Sequence, residues 1–369
     1  MENFIVSARK YRPSVFDEVV GQRHVTDTLL NEINNNHLAQ SFLFTGPRGV
    51  GKTTCARILA KVINQKDHDD PNQDYAFNIF EMDAASNNSV DDIRTLNEQV
   101  RIPPQVGSYK VYIIDEVHML TQAAFNAFLK TLEEPPRYAI FILATTEKHK
   151  ILPTILSRCQ IFNFRRIQIN DMVEHLHKIA QKENIEAEDD ALRLIAEKAD
   201  GGLRDCLSMF DQMVSYCNGH ITYAKAVENL NILDRDYYFK ITEAILNQNI
   251  SEVLNHLDEI INKGFDGQTF LGGLSEHFRN LMVCKDVSTV KLLDVGEAHK
   301  LKYEKQCQST DLSFLLNGLN INNQFDLEFR NSKNPRLHVE LALMKLCHLK
   351  SLLNNAVTLE ELKKKVMTS

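Results

Sequence analysis

The stretch that decides the fold occupies residues 46–53 and reads Gly46-Pro47-Arg48-Gly49-Val50-Gly51-Lys52-Thr53. It is a complete G-x-x-x-x-G-K-[ST] pattern, in which glycines let successive backbone N–H groups turn inward around phosphate groups. An apolar run at 42–44 precedes it and predicts a strand, and residues 54–63 carry apolar side chains at helical spacing. A helix that begins here adds partial positive charge at its N-terminus. The stretch, with Thr54 behind it, therefore predicts a nucleotide phosphate site in which Lys52 reaches the β- and γ-phosphates and the Thr53 hydroxyl binds Mg²⁺.

Length and composition limit the classes to which the chain can belong. At 369 residues it is too long for one ordinary core, so we expect two or three domains. No run approaches the roughly 20 apolar residues that a membrane span needs, and the first residues form no secretory signal pattern, so we expect no membrane partner. The seven cysteines are scattered and never form a C-x-x-C pair, which is typical of a cytoplasmic, thiol-reduced chain. Because the formal net charge is −7, any contact with nucleic acid must come from a local basic patch.

The first part of the chain, to about residue 165, alternates strand-like and helix-like segments. Continuous apolar runs at 111–114 and 140–143 are typical of central strands that helices cover on both faces. Further strands are predicted at 77–82 and 161–164. The pattern predicts an α/β fold with a parallel sheet flanked by helices.

The rest of the chain carries helical patterns. Asn170 is a candidate N-cap, a second helical stretch begins at Asp189, a third covers 203–216, and Thr222 is a candidate cap for a short fourth. A boundary is predicted near residues 233–236.

Beyond this boundary the chain is predicted to be helical throughout. Residues 251–263 carry apolar side chains at helix spacing, and residues 337–353 are apolar on most sides, which predicts a buried helix. The expected domains are therefore 1–168, 169–233 and 234–369.

A second motif, Val-Tyr-Ile-Ile-Asp-Glu, occupies residues 111–116. Its two acids follow a central strand, at the sheet edge where ligands bind in open α/β folds. We expect Asp115 to hold Mg²⁺ indirectly, next to Thr53, through the ligands that touch the ion. We expect Glu116 to polarise the attacking water as general base. Taken alone, the pair could instead cap the next helix.

Three further positions are weaker candidates, and each has an ordinary structural alternative. Thr146 follows the strand predicted at 140–143 and can orient the water or contact the γ-phosphate, although threonine is common at strand ends. Arg158 can stabilise transition-state charge in a neighbouring subunit's site, or it can form a surface ion pair. Arg204 can sense nucleotide from a lid helix, or it can be an ordinary exposed arginine at a helix start.

These elements, in this order, resemble the AAA+ ATPases, and the sequence around them is more specific. Six segments look like the gamma/tau subunit family of bacterial DNA polymerase III, the motor of the sliding-clamp loader. The segments are Ala8-Arg9-Lys10-Tyr11-Arg12-Pro13, Val19-Val20-Gly21-Gln22, Asp83-Ala84-Ala85-Ser86, Asp115-Glu116-Val117-His118-Met119-Leu120, Phe128-Leu129-Lys130-Thr131-Leu132-Glu133-Glu134-Pro135-Pro136 and Ser157-Arg158-Cys159. The resemblance is dense over residues 4–215 and continues more thinly to 335–349.

The resemblance implies a fold and a role for each matching residue. It implies an AAA+ P-loop NTPase domain, a small helical lid domain and an all-helical collar domain for oligomerisation. The adenine pocket would be lined by Tyr11, Arg12, Pro13 and Val20. The phosphates would be cradled by Gly46, Pro47, Arg48, Gly49, Val50, Gly51, Lys52, Thr53 and Thr54. Asp115, Glu116 and Thr146 would serve to hold the metal, to activate the water and to sense the nucleotide. Arg158 would complete the adjacent subunit's site, and Arg204 would report bound nucleotide to the lid.

The resemblance also implies an activity and partners. The family uses ATP and Mg²⁺ to open a ring-shaped clamp and load it onto primed DNA during replication. The implied partners are the delta and delta-prime subunits, other copies of this chain, the sliding clamp and primed DNA. Any polymerase label would belong to the holoenzyme, because this chain has no evident polymerase active site.

Contact with DNA is expected at the start of one helix. The resemblance implies that helix N-termini and basic residues track the duplex backbone, and backbone amides with Asn and Ser side chains suit sequence-independent contact with phosphates. The residues expected to line the DNA are Asn87, Asn88, Ser89, Arg94 and Arg101. Asp91 and Asp92 lie among them, so a capped and solvated helix start is the open alternative.

The chain departs from the family pattern in two places. Most gamma/tau subunits carry a four-cysteine zinc module after the phosphate-loop helix, but residues 64–74 contain no cysteine here. Asp67, His68, Asp69 and Asp70 could bind a metal in principle, yet a solvated loop without zinc is expected. The sequence stops at Ser369, so we expect it to be gamma-like or truncated, and to lack the tethering functions of the tau extension that binds polymerase and helicase.

Two other functions remain open. The chain could be another AAA+ DNA-remodelling ATPase, such as a branch-migration helicase. Such a protein would be expected to carry a DNA-binding winged-helix domain at its C-terminus, whereas residues 240–355 look helical. A non-catalytic clamp-loader scaffold resembling delta-prime would have no need of Lys52, Thr53 and Glu116.

Overall fold

The computed structural model describes residues 5–65, 76–105, 107–230, 233–286, 288–293 and 295–367. The chain divides into two compact units, Met1–Tyr223 and Ala224–Ser369. The predicted three-part division at 168 and 233 stays a prediction.

A parallel sheet lies at the centre of the first unit. Within the described residues it contains five strands, in the order β2-β3-β4-β1-β5. They are β1 (Ser41–Thr45), β2 (Ile79–Asp83), β3 (Lys110–Asp115), β4 (Ala139–Thr145) and β5 (Gln160–Asn163). The sheet predicted from the apolar runs is therefore confirmed.

Two predicted strand ends were wrong. Phe77 lies in a short 3-10 turn, Ala76–Asn78, and is 87% exposed, because the Asn78 amide bonds back to the Tyr109 carbonyl at 3.2 Å and fixes the turn there. Phe164 follows β5 and still donates its N–H to the Thr45 carbonyl at 2.7 Å.

Side chains on the two faces of the sheet belong to two separate cores. Phe42 and Phe44 pack into one core while Leu43, between them, packs into the other, and all three are fully buried. A strand that is covered on both faces loses the apolar–polar alternation of a surface strand. This is why the three central strands, β1, β3 and β4, contain continuous apolar runs.

Helices cover both faces of the sheet. Those that pack on it are α2 (Arg23–Asn34), α3 (Lys52–Gln65), α4 (Val90–Val100), α5 (Gln122–Glu133) and α6 (Pro153–Leu156), and the short helix α1 (Ser7–Lys10) precedes them in the chain. The following ones are α7 (Ile169–Lys182), α8 (Asp189–Lys198), α9 (Leu203–Cys217) and α10 (Tyr223–Asn229). Two-residue strands β6 (Glu186–Ala187) and β7 (His220–Ile221) pair in parallel beside them.

The expected cap at Asn170 was wrong. α7 begins at Ile169 with Gln168 as its N-cap residue, so Asn170 lies inside the first turn. Its side-chain oxygen accepts a hydrogen bond from Arg193 at 3.1 Å, which ties α7 to α8 instead of capping the helix. The predicted starts at Asp189 and after Thr222 agree with α8 and α10.

The second unit is helical through the described residues, as predicted, apart from its connecting segments. Its helices are α10, which begins at the boundary with the first unit, and α11 (Arg235–Leu246), α12 (Ile250–Asn262), α13 (Gly267–Val283), α14 (Glu297–Gln308), α15 (Leu312–Phe329) and α16 (Pro335–Met367). α16 is buried on one side only: Val339, Leu343 and Leu346 are in the core, but Leu337 and Leu341 are 55% and 45% exposed. The expected burial on most sides was therefore too broad.

A polar residue, His277, lies inside this helical core. It is 1% exposed, and its ring nitrogens contact the Tyr303 hydroxyl at 3.1 Å and Gln306 Oε1 at 2.9 Å. Burial lowers the pKa of His277 from its ordinary value of 6.5 to about 3, so the ring is neutral.

All seven cysteines are free thiols, and six of them are buried. Burial raises the pKa of Cys55, Cys159 and Cys206 to about 12 and of Cys284 and Cys347 to about 11. Across the described residues, the helices all lack the length or the apolar character that spanning a bilayer requires.

Candidate functional site

A cavity of about 380 Å³ lies at the carboxyl ends of β1, β2 and β3. It collects most of the residues that the sequence assigned to nucleotide and metal. Its lining includes Tyr11, Arg12, Pro13, Val20, Arg48, Gly49, Val50, Gly51, Lys52, Thr53, Thr54, Asp115, Glu116 and Arg204.

Two glycines of the 46–53 loop are required by close approach. Gly46 has φ +148°, and a Cβ there would lie 2.4 Å from the Phe164 carbonyl oxygen. Gly49 has φ +76° and faces Arg204, with its carbonyl oxygen 3.3 Å from the Arg204 N–H. The loop is thus held between the segment directly after β5 and the start of α9, with its backbone turned towards the cavity.

Lys52 is the first residue of α3 and is only 6% exposed. Its ammonium group donates to the carbonyl oxygens of Gly46 and Pro47, both at 2.7 Å. Burial lowers the pKa of Lys52, while the Glu116 and Asp115 carboxylates act in the opposite direction. The loop's own carbonyls therefore hold a buried cation at the inner end of the cavity.

Thr53 and Asp115 meet across the cavity floor. The Thr53 hydroxyl donates to Asp115 Oδ2 at 2.7 Å. Thr53 lies in the first turn of α3, which follows β1, and Asp115 ends β3, so both lie at the carboxyl edge of the sheet although β4 separates the two strands. A hydroxyl and a carboxylate are hard oxygen ligands of the kind that Mg²⁺ prefers.

Glu116 follows β3 in a left-handed backbone conformation, with φ 47° and ψ 44°. Its Oε2 accepts hydrogen bonds from the N–H and the hydroxyl of Thr146, at 3.2 and 3.0 Å. Thr146 itself does not line the cavity among the residues that the structure describes; it orients the carboxylate that does.

His118 lies in the motif at residues 115–120, which predicted no role for it. In the structure it lies beside Glu116. Its Nδ1 lies 3.3 Å from Glu116 Oε2 and 3.0 Å from the Thr145 hydroxyl, and its side chain is 7% exposed. Sequence spacing could not identify the contact between His118 and Thr145, because it depends on β3 and β4 being neighbours in the sheet.

One wall of the cavity comes from the N-terminal part of the chain. Tyr11, Arg12 and Pro13 follow α1, and Val20 precedes α2. Burial lowers the pKa of Arg12, and the charges of Arg57 and Arg204 add to this effect.

Gln22, fully buried, fixes this wall to the rest of the site. Its side-chain nitrogen donates to the Arg165 carbonyl at 2.7 Å, and its oxygen accepts from the Arg165 N–H at 3.2 Å. The same nitrogen lies 3.4 Å from the Val50 carbonyl in the phosphate loop.

For several residues that line the cavity, the sequence motifs predicted no role. They are Ala8, Val19, Asp83, Ile167, Leu203 and Leu207. The position of Asp83 could have been found from strand register, since it ends β2 directly beside Asp115. The apolar members could not, because they come from segments that are far apart in the chain.

Arg158 lies elsewhere. Its guanidinium donates to Glu133 at 2.7 Å and to the Thr154 carbonyl at 2.7 Å, and its side chain is 33% exposed. Among the described residues, those that line the cavity do not include it. An arginine that serves a neighbouring subunit is expected to lie outside the cavity of its own chain.

The residues predicted to contact DNA lie on and before α4. Ser89 caps α4 and exchanges hydrogen bonds with Asp92 in a capping box, and the Asn88 carbonyl accepts from the Thr121 N–H at 3.2 Å and its hydroxyl at 3.1 Å. Arg94 is exposed and pairs with Asp91 at 2.9 Å. Asn87 bonds to the Asp83 carbonyl, and Arg101 is the exposed C-cap residue.

The cavity fits a nucleoside triphosphate with a divalent cation. It combines a backbone loop at a helix N-terminus, a buried ammonium group and a hydroxyl–carboxylate pair at 2.7 Å. The candidate zinc loop cannot be judged in the same way, since Asp67, His68, Asp69 and Asp70 lie outside the described residues.

Three family profiles match successive parts of the chain. "DNA polymerase III, delta subunit" matches residues 21–168, "DNA polymerase III clamp loader subunit, ATPase lid domain" matches 171–219, and "DNA polymerase III subunits gamma and tau domain III" matches 221–362.

Curated relatives carry matching names. The chain is 38% identical to DNA polymerase III subunit tau of Bacillus subtilis, over 92% of this chain and 62% of that one. It is 39% identical to subunit gamma/tau of Mycoplasma genitalium, over 86% of this chain and 55% of that one. It is 36% identical to subunit gamma of Buchnera aphidicola, over 83% of this chain and 84% of that one. The chain thus spans little more than half the length of the first two.

Solved structures give weaker similarity. The RuvB Holliday junction branch migration motor of Thermotoga maritima is 21% identical, covers 64% of this chain and 79% of its own, and has a TM-score of 0.48. The DNA clamp loader delta protein of Bacillus subtilis is 15% identical, covers 87% of this chain and 99% of its own, and has a TM-score of 0.40.

Proposed function

This chain belongs to the family of DNA polymerase III gamma and tau subunits, and from that premise we propose that it is the ATP-hydrolysing motor subunit of a sliding-clamp loader. It would use ATP to open the clamp and place it on primed DNA. In this proposal residues 1–168 bind nucleotide, 169–233 form the lid, and 234–369 form the collar that joins subunits. Its partners would be delta-type and delta-prime-type subunits and further copies of itself, in the cytoplasm.

One observation carries the proposal: the groups that hydrolysis needs surround a single cavity. Lys52, Thr53, Asp115 and Glu116 all line it. Lys52 is positioned to neutralise charge on the β- and γ-phosphates, and the loop N–H groups to bind the phosphate oxygens.

Glu116 is the group that would accept a proton from the attacking water. Thr146 donates two hydrogen bonds to Oε2, while Oε1 accepts none from the described residues. The carboxylate is thus fixed at one oxygen and left with the other for the water. A base that is oriented in advance loses less entropy at the moment of reaction.

Thr53 and Asp115 would hold Mg²⁺. There the ion would supply positive charge that offsets the negative charge of the phosphates. The Thr53 hydroxyl and the Asp115 carboxylate orient one another through their 2.7 Å hydrogen bond, so both oxygens face the same point of the cavity.

The proposal is tested by steady-state ATP hydrolysis of the full chain assembled with delta-type partners, with and without clamp and primed DNA. We expect strong stimulation by clamp with primed DNA, lost in Glu116→Gln and retained in Glu134→Gln, an exposed matched control. ATP binding without turnover, unaffected by clamp or DNA, would indicate a non-catalytic scaffold instead. Stimulation by DNA that does not depend on the clamp would indicate another AAA+ DNA-remodelling ATPase.

A further inference from the structure

Residues 7–13, which we call the N-terminal segment, separate two open spaces. On one side Tyr11, Arg12 and Pro13 line the 380 Å³ cavity. On the other side the same three residues line a groove of about 1170 Å³, whose far wall is α7. A wall with open space on both faces is not fixed by core packing, so its position depends on the few contacts that hold it.

Those contacts are made with α7 and α9, two helices that follow the sheet in the chain. The Tyr11 hydroxyl and the Lys10 ammonium group both donate to the Glu183 carboxylate. Glu183 is the C-cap residue of α7. The Ser7 N–H donates to Asp211 Oδ2 in α9 at 2.7 Å. The N-terminal segment is therefore attached to α7 and α9 while it forms part of the cavity wall.

The charges at this attachment favour the contact at neutral pH. Hydrogen bonds from Lys10 and Tyr11 lower the pKa of Glu183, so the acceptor is ionised. Burial, followed by the Glu183 contact, raises the pKa of Tyr11, so the phenol keeps its proton and donates it. Hydrogen bonds to an ionised acceptor are roughly twice as strong as neutral ones.

We propose that Glu183 is a positioning residue of the nucleotide site, which sets ATP affinity by holding Tyr11 in the cavity wall from α7. The inference rests on the proposed function and adds to it a route by which movement of the helices after the sheet changes nucleotide binding. Because such coupling is reciprocal, bound nucleotide must stabilise the Tyr11–Glu183 contact by the same factor as the contact strengthens nucleotide binding.

The test measures the Kd of a fluorescent ATP analogue for the full chain. Glu183→Ala and Tyr11→Phe are each expected to weaken binding about tenfold, within the usual range of coupling between sites. The double variant is expected to bind no more weakly than the weaker single variant, because both changes remove one contact. Glu183→Gln, which keeps an acceptor, is expected to recover part of the loss. The matched control is Glu186→Ala, which removes an exposed acid three residues away.

A second readout separates positioning from general loosening. Saturating analogue is expected to slow hydrogen exchange at the C-terminal turn of α7 in the natural chain but not in Glu183→Ala. If Glu183→Ala binds like the natural chain, or if the two changes add fully, the inference is overturned while the proposed function stands. If the natural chain binds no analogue, or binds it as well with Lys52→Ala, the proposed function fails and the inference with it.

Discussion

Glu116, the proposed general base, has a strained backbone conformation. Its φ of 47° puts a non-glycine residue in the left-handed region, at a cost of about 1–2 kcal/mol. The Glu116 carbonyl accepts from the Met119 N–H at 2.9 Å, which holds the conformation. The turn brings the carboxylate from the end of β3 to Thr146, past the end of β4.

Thr53→Ala is expected to separate metal use from nucleotide binding. Removing the hydroxyl that meets Asp115 should lower ATP hydrolysis by the assembly at least tenfold at limiting Mg²⁺, in line with the roughly 10–100-fold effects of groups around metals. Mg²⁺ titration of the rate measures this. Thr53→Ser keeps the hydroxyl and should behave like the natural chain; equal loss in both variants would contradict the role of the hydroxyl.

His277 is expected to make the second unit sensitive to acid. Its pKa is about 3 in the folded chain and 6.5 ordinarily, so the unfolded state binds the proton first as pH falls. The stability it contributes is complete above pH 6.5 and is lost between pH 6.5 and 3, amounting to about 2 kcal/mol by pH 5.

Hydrogen exchange of the α13 amides at pH 7 and pH 5, corrected for intrinsic rates, measures this loss. His277→Gln is expected to lower the free energy of opening at pH 7 but to flatten its dependence on pH. An unchanged slope in that variant would show that other groups carry the acid sensitivity.

At the scale of single residues, the sequence predicted the positions of residues that lie close together in one motif. Lys52 and Thr53 are adjacent in one pattern, so their joint position at the cavity follows from the motif. His118 and Gln22 act through residues 27 and 143 positions away, Thr145 and Arg165, and a single sequence carries no sign of such contacts.

Among the elements, α4 is the helix on and beside which the predicted DNA contacts lie. Its N-terminus is capped by Ser89 and linked to α5 through Asn88 and Thr121. Both observations agree with a helix start that presents N–H groups and with an ordinary solvated cap. Only a measurement on DNA distinguishes the two.

Arg94→Ala is expected to weaken binding of primed DNA by the assembly at all sequences and to reduce the salt slope of binding by about 1. The control is Asp91→Asn, which releases Arg94 from its ion pair and should preserve or strengthen binding. An unchanged affinity and slope in Arg94→Ala would leave α4 as a structural helix only.

Element types were easier to predict than element ends. Strands buried on both faces, such as β3 and β4, contain only apolar residues over several positions, and this signal is strong. Asn170 had the right chemistry for a cap, but Arg193 on α8 takes its side-chain oxygen. Local preference gave way there to a contact between helices, which the sequence does not display.

For the whole molecule, the position of Arg158 matters most. It pairs with Glu133 on its own chain and lies apart from its own cavity lining. A site that takes its last cation from a neighbour is complete only in the assembly, so hydrolysis would depend on assembly while nucleotide binding would not.

Arg158→Ala is therefore expected to leave ATP affinity of the chain unchanged and to lower hydrolysis by the assembly by about 10³-fold. Binding of a fluorescent analogue and steady-state turnover measure the two. Arg137→Ala, an exposed change on the same unit, is the control. Loss of affinity together with turnover would place Arg158 in its own chain's site.

The scattered thiols have a practical consequence. Six of the seven are buried, and Cys159, the partly exposed one, has its pKa raised to about 12 by burial. Maleimide dyes react with an accessible thiolate, but burial keeps the dye from six of the thiols, and the raised pKa of Cys159 leaves it almost fully protonated at neutral pH. A single cysteine introduced on an exposed helix face would therefore take up a fluorophore selectively, with the natural cysteines left in place. A pair of such cysteines, one on α7 and one on an exposed helix beside the sheet, would carry a donor and an acceptor dye, and single-molecule energy transfer would then test whether their distance changes when nucleotide binds.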